Sequence, residues 1–231
     1  MVTKANRTLK IAVDAMGGDF APINEVTGSI NAYKNKDSSL DLEIILVGDE
    51  KKIRSAMLQN EYSDFKYSIV HADDVVTMND DPTAVIKKKK NSSLYKGLEL
   101  HSQGYADAFV SAGNTGAVLS TATVLLGRIK GISRPTIGQL FPTQTNTPTF
   151  VVDVGANIDS KPRFLFEFAI MANIYVNQML GLENPRIGLL NIGEESSKGT
   201  DVILQTYALL KDSQLNFIGN EIGRASCRER V

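Results

Sequence analysis

Four polar, glycine-containing turns carry the residues of this chain best suited to chemistry. They are Asp14-Ala15-Met16-Gly17-Gly18-Asp19, Ser111-Ala112-Gly113-Asn114-Thr115-Gly116, Asp153-Val154-Gly155-Ala156-Asn157 and Asn191-Ile192-Gly193-Glu194-Glu195-Ser196-Ser197-Lys198-Gly199. Each follows an apolar, strand-like run. Glycine lets a ligand approach the backbone closely and admits positive φ. Turns use glycine anyway, so one such turn says little, whereas four in one chain point to a composite site. A helix is expected to begin in the second turn. Its unpaired N–H groups and positive dipole end would then face an anion, phosphate above all.

Ser111, Gly113, Asn114, Thr115 and Gly116 therefore form a candidate phosphate loop. Asn114 and Thr115 add side-chain donors, although Ser111 or Asn114 would serve equally well as a plain N-cap. Asp14, Gly17 and Gly18 from the first turn join them as candidate substrate-binding residues, with Asn191 and Gly193 from the fourth. Asp14 and Asp19 could bind a metal, orient donors or cap a helix, and capping is favoured for Asp19. No metal site and no cofactor is assigned. Lys198 sets a cation at a strand end, where it would offset a phosphate or a developing oxyanion. A solvated loop lysine is the competing reading. Asp153 and Asn157 bracket Gly155-Ala156, and Asn157 would offer its amide to a ligand or close an Asx turn. Lys198, Asn157 and Asp153 are the catalytic candidates.

Lys87, Lys88, Lys89 and Lys90 form a basic run in a predicted helix. Consecutive residues spread around a helix, so they make no single stripe. A solvated face competes here with a docking patch for an acidic partner. His71 and His101 lack metal-ligand spacing. Gly17-Gly18 is not the spaced G-x-G-x-x-G of a dinucleotide site.

These turns must be held by a framework, and the chain alternates strand and helix signals throughout. Strands are expected at 9–14, 42–47, 67–70, 108–111, 136–141, 150–153, 186–191 and 215–218. Helices are expected at 24–34, 49–59, 82–103, 113–126, 161–180 and 200–211. Such alternation predicts an α/β fold: a three-layer α/β/α arrangement around a mostly parallel sheet. The neighbouring strands near Thr136 and Phe150 predict a hairpin that interrupts the parallel order.

Composition sets outer limits. With 231 residues, the chain holds one large domain, or a domain and part of a second. The 25 basic and 26 acidic residues leave a net charge of −1. No basic field points to nucleic acid, and the absence of Trp weakens base stacking further. The apolar run 164–182 contains Glu167, Asn173, Asn177 and Gln178, so a buried helix is expected rather than a membrane span. Cys227 is the single cysteine, which fits a reducing cytoplasm.

Residues 221–231 show neither strand nor helix periodicity, and they back-translate to a string resembling a sequencing adapter. The expected organisation is an incomplete α/β domain over 1–220 followed by a non-native tail over 221–231, without regular structure.

In order along the chain come Val13-Asp14-Ala15-Met16-Gly17-Gly18-Asp19-Phe20-Ala21-Pro22, Asp81-Pro82-Thr83-Ala84-Val85, Ser111-Ala112-Gly113-Asn114-Thr115-Gly116-Ala117, Asp153-Val154-Gly155-Ala156-Asn157 and Leu189-Leu190-Asn191-Ile192-Gly193-Glu194-Glu195. Together they closely resemble the PlsX family of bacterial phosphate acyltransferases. The resemblance implies transfer of a fatty acyl group from acyl carrier protein to inorganic phosphate, giving acyl phosphate for phospholipid synthesis. It implies a fold similar to phosphotransacetylases and to isocitrate and isopropylmalate dehydrogenases. It also implies a cytoplasmic homodimer with peripheral membrane association beside a membrane glycerol-phosphate acyltransferase. The family reads Gly-Asn-Ile-Glu-Gly-Arg where this chain has Gly219-Asn220-Glu221-Ile222-Gly223-Arg224. The rival readings are a phosphotransacetylase using acyl coenzyme A and a non-catalytic scaffold that binds acyl carrier protein.

Overall fold

The computed structural model describes residues 7–58, 64–143, 147–155, 157 and 159–223. The chain divides into two compact units, the first ending at Gly127 and the second beginning at Arg128.

The first unit runs β1 (Leu9–Asp14), α1 (Ile23–Lys34), β2 (Leu42–Gly48), α2 (Glu50–Leu58), β3 (Tyr67–His71), α3 (Pro82–Lys88), α4 (Ser93–Ser102), β4 (Ala108–Val110) and α5 (Thr115–Leu125). The strands pair in parallel in the order β3-β2-β1-β4. β2 shows why the strand runs are apolar throughout. Leu42, Ile44 and Leu46 share a core with Val26 and Ile30 of α1 and Ile53 and Ala56 of α2. Ile45 and Val47 pack with Ala12, Ala72 and Ala106, against Leu100 of α4 and Phe109 of β4. A strand covered on both faces has no polar side to alternate with. The result is the expected three-layer arrangement.

The order of the strands matters for function. From β1 the chain moves outward through β2 and β3, then returns to place β4 on the other side of β1. The reversal lies between the carboxyl ends of β1 and β4, which is where open α/β sheets bind ligands.

The second unit runs β5 (Gly138–Phe141), β6 (Thr149–Val152), α6 (Pro162–Leu180), β7 (Ile187–Asn191), α7 (Asp201–Lys211) and β8 (Phe217–Ile222). β5 and β6 form the expected antiparallel hairpin, and β7 and β8 pair in parallel. Ala169, Leu189 and Leu210 make the local core with Phe166, Tyr207 and Phe217. α6 opens on Pro162 and stops at Gly181, whose φ is +69°. Proline suits a first helical position and glycine the left-handed stop. The polar interruption at Glu167 is used structurally: the buried carboxylate accepts from Ser133 N–H and O–H and from Arg163. Among the described residues, no helix is long and apolar enough to cross a membrane.

The structure corrects two sequence expectations. The single helix expected over 82–103 is two helices. Lys89 leaves the helical region at φ −122°, ψ 44°. The Ser92 hydroxyl then caps α4 by accepting from Tyr95 N–H, and Ser92 bridges Asp74 in the preceding loop. The strand expected over 215–218 continues through Ile222, with Glu221 paired to Leu190 and Ile222 to Asn191. Glu221 and Ile222 are therefore regular structure rather than the start of an irregular tail. Residues 224–231 of that expectation lie outside the described residues.

Candidate active site

Two of the four turns meet at the strand-order reversal of the first unit. Asp14 ends β1 and is 1% exposed. Its carboxylate accepts from the Ser111 hydroxyl at 2.8 Å and from Met16 N–H at 3.2 Å. The Ser111 hydroxyl oxygen also accepts from Gly113 N–H at 3.1 Å. One buried carboxylate thus ties the loop after β1 to the loop after β4. The loops approach closely enough that a β-carbon on Gly113 would stand 3.0 Å from the Gly17 carbonyl oxygen. Gly17 itself packs over the Asp14 carboxylate and the Ser111 hydroxyl.

Asn114 is the N-cap of α5: its side-chain oxygen accepts from Ala117 N–H at 3.0 Å. Its amide nitrogen donates to the carbonyls of Thr77, Met78 and Asp80 at 3.2, 3.3 and 3.2 Å. The side chain is therefore fully committed, which corrects the expectation that it offers its amide to a ligand. Thr115 is exposed. The backbone N–H groups of Thr115 and Gly116 have no acceptor among the described residues. First-turn amides have no intrahelical acceptor, and they point along the positive end of the helix dipole. The donors this loop leaves open are therefore these backbone N–H groups and the exposed Thr115 hydroxyl.

Sequence reasoning passed over Glu25, in the first turn of α1. Its carboxylate packs against Gly18, and Oε2 is buried without a hydrogen-bond partner among the described residues. Burial pushes the carboxyl above its ordinary value, and the Asp14 and Asp19 charges push the same way. The available signal was an acidic residue in the helical turn that follows a Gly-Gly turn. A raised folded-state pKa means the folded protein holds the proton where the unfolded chain releases it. Stability therefore falls as pH rises from the ordinary carboxyl value through the raised one. Glu25→Gln is expected to raise the urea midpoint at neutral pH and to lose that advantage in acid. A constant difference between the two proteins across this range would assign the effect to packing instead.

The other two turns belong to the second unit. Asp153 follows β6 with φ +66°, the left-handed region, which asparagine and aspartate tolerate best among residues with a side chain. Its carboxylate accepts from Asn157 Nδ2 at 2.9 Å and from the Ser160 hydroxyl at 2.7 Å. Asp153 and Asn157 are thus brought together side chain to side chain rather than by an Asx turn, and the Asn157 amide also donates to the Pro135 carbonyl at 3.5 Å. Asn191 closes the 191–199 loop: its amide donates to the Lys198 carbonyl at 2.9 Å, and its side-chain oxygen accepts from Ile192 N–H at 2.8 Å. Gly193 packs against the Glu195 and Lys198 side chains, and Lys198 is exposed. A cleft of about 610 Å³ lies beside this loop, lined by Leu190, Ile192, Thr200 and Ile203.

The lysine run splits. Lys87, Lys88 and Lys90 are exposed, whereas Lys89 turns inward to Asp80. A uniform four-lysine docking patch is therefore corrected to three exposed lysines. Among the described residues, no three His, Cys, Asp or Glu side chains cluster as metal ligands.

The family described as "Fatty acid synthesis protein" matches residues 9–230. The chain belongs to that family. A phosphate acyltransferase of Dictyoglomus turgidum is 45% identical over 217 residues, covering 94% of this chain and 63% of that protein. One of Gloeothece citriformis is 45% identical over 222 residues, covering 95% and 62%. The chain thus spans about 63% of the length of such curated relatives. A phosphotransacetylase of Streptococcus pyogenes superposes with a TM-score of 0.60 at 19% identity, covering 92% of this chain and 68% of that one. A branched-chain phosphotransacylase of Enterococcus faecalis gives 0.54 at 18% identity, with the same coverage. These two share the fold, and the family membership carries the sequence motifs.

Proposed function

We propose that this protein moves a fatty acyl group from acyl carrier protein to inorganic phosphate, yielding acyl phosphate for phospholipid synthesis. The observation that carries the reading is the pair of backbone N–H groups at Thr115 and Gly116, without an acceptor among the described residues and set where the strand order reverses. A thioester is already activated, so a phosphate oxygen attacks its carbonyl directly. The tetrahedral intermediate collapses with departure of the thiolate, which takes up a proton. The protein's work is to hold the anion and stabilise developing charge. Asp14 and Ser111 fix the loops, and the α5 amides bind phosphate. Within the second unit, Lys198 presents an exposed ammonium able to offset negative charge, and Asp153 holds Asn157. Gly193 and Asn191 shape the Lys198 loop.

Family membership supports the remainder of the reading: a cytoplasmic homodimer, peripheral at the membrane, passing acyl phosphate to a membrane glycerol-phosphate acyltransferase. Lys87, Lys88 and Lys90 would steer the acidic carrier protein, an effect that salt screens.

The deciding experiment offers the protein, at the length of its relatives, acyl carrier protein thioester or acyl coenzyme A with inorganic phosphate. Acyl phosphate, trapped as hydroxamate, should form faster from the carrier-protein thioester. A preference for coenzyme A would make the protein a phosphotransacetylase. Carrier-protein binding with no acyl phosphate from either donor would make it a scaffold.

A further inference from the structure

We infer that Lys89 is a positioning residue of the candidate phosphate loop, acting on it through Asp80 and Asn114; the inference rests on the phosphate reading of that loop. Lys89 is the C-cap residue of α3, and its side chain reaches residues that precede the helix. Its ammonium donates to the Asp80 carboxylate at 2.7 Å and to the Val75 carbonyl at 2.8 Å. The same Asp80 oxygen accepts from Thr77 N–H at 2.6 Å and from the Thr77 hydroxyl at 3.0 Å. One carboxylate oxygen therefore closes the 77–80 turn alongside its backbone bond, from Asp80 N–H to the Thr77 carbonyl at 3.2 Å, and the ammonium holds that oxygen in place. The Lys89 ammonium, then the Thr77 N–H, hold the Asp80 carboxyl down at about 2, so it stays charged at any physiological pH.

The closed turn brings the carbonyls of Thr77, Met78 and Asp80 to one point, where the Asn114 amide nitrogen sits. The opposite end of that amide caps α5 through Ala117 N–H. The route from Lys89 to the first turn of α5 is thus continuous: an ion pair, a turn and one side-chain amide. α3 abuts the same turn of α5, since a β-carbon on Gly116 would stand 2.7 Å from the Pro82 ring. Without the ammonium, the Asp80 carboxylate keeps, among the described residues, the two Thr77 donors, and the turn keeps one backbone bond of 3.2 Å. The turn can then open and turn its carbonyls to water, freeing the Asn114 amide to swing. The Thr115 and Gly116 amides would lose their fixed direction. Lys87, Lys88 and Lys90 are exposed and have no comparable ion pair among the described residues.

The test uses the protein at the length of its relatives, with inorganic phosphate as ligand. Lys89→Met should raise the phosphate KM about tenfold, equivalent to 1.4 kcal/mol, with little change in kcat at saturating phosphate. Hydrogen exchange at Ala117 N–H should speed up while the amides of β1 and β2 keep their protection. Lys89→Arg, which preserves the cation, should recover most of the KM. Lys89→Met combined with Asn114→Ala should bind phosphate no worse than Asn114→Ala alone, because both changes cut one linkage. Independent, multiplying effects of the two changes would overturn the inference. So would an unchanged KM, or protection lost equally across the sheet. A parent protein that takes up no phosphate, yet whose Ala117 amide responds to Lys89→Met, would overturn the phosphate reading and support the linkage.

Discussion

Asn114→Ala is expected to lower the free energy of unfolding by about 2–4 kcal/mol, well above the 0.5–2 kcal/mol usual for a lost N-cap. The excess arises because the side chain does more than cap. Its nitrogen serves three carbonyls of the 77–80 turn, and the residue is 8% exposed. These part-buried bonds add up to about 1 kcal/mol each to the lost cap. Asn114→Asp separates the two duties. Aspartate is as good a cap as asparagine, but it presents a carboxylate to three carbonyls and donates nothing. It should therefore destabilise almost as much as alanine. Thr115→Ala, one residue on and exposed, should stay within about 0.5 kcal/mol. Urea unfolding of the three variants at neutral pH makes the comparison. An Asn114→Asp protein as stable as the parent would reduce Asn114 to an ordinary cap.

That contrast shows which features sequence could reveal. A cap is a local device, so Asn114 stood out as a capping candidate beside its reading as a ligand donor. Its tether to Thr77, Met78 and Asp80 links residues 34 to 37 positions apart, which no local pattern encodes. The strands of the first unit were legible because burial on both faces makes them continuous apolar runs. The order that sets β1 against β4 was not, because strand order is a property of packing. The break between α3 and α4 contains neither glycine nor proline. It is made by Ser92 bridging to Asp74, so Lys87 to Lys90 read as one helical run and are not one. Likewise Gly219, with φ +109°, reads locally as a strand stop, yet pairing with β7 carries β8 on to Ile222. The pairing of Asp14 with Ser111 across 97 positions could be suspected only from four polar turns lying at strand ends.

Gly113→Val is expected to abolish most phosphate use while leaving a folded protein. The obstacle at Gly113 is space. A β-carbon there would stand 3.0 Å from the Gly17 carbonyl oxygen and 3.1 Å from Gly17 Cα, both backbone atoms that cannot rotate away. Alanine asks the two loops to part by a few tenths of an ångström. Valine adds two further methyl groups at the same point and must drive the loop after β4 off the loop after β1. Overpacking of this kind costs about 1–3 kcal/mol in stability. The functional loss should be larger, because displacing reacting groups by about 1 Å costs on the order of 10²-fold in rate. Gly104→Ala supplies the control. Gly104 has φ +77° with open space around its β-position, so alanine there is strained and unobstructed. It should lose about 1–2 kcal/mol of stability by backbone strain alone and keep its phosphate KM. Measuring unfolding and phosphate dependence on both variants separates general destabilisation from damage to the loops. If Gly113→Val used phosphate as well as Gly104→Ala does, the junction of the β1 and β4 loops would not be where phosphate binds.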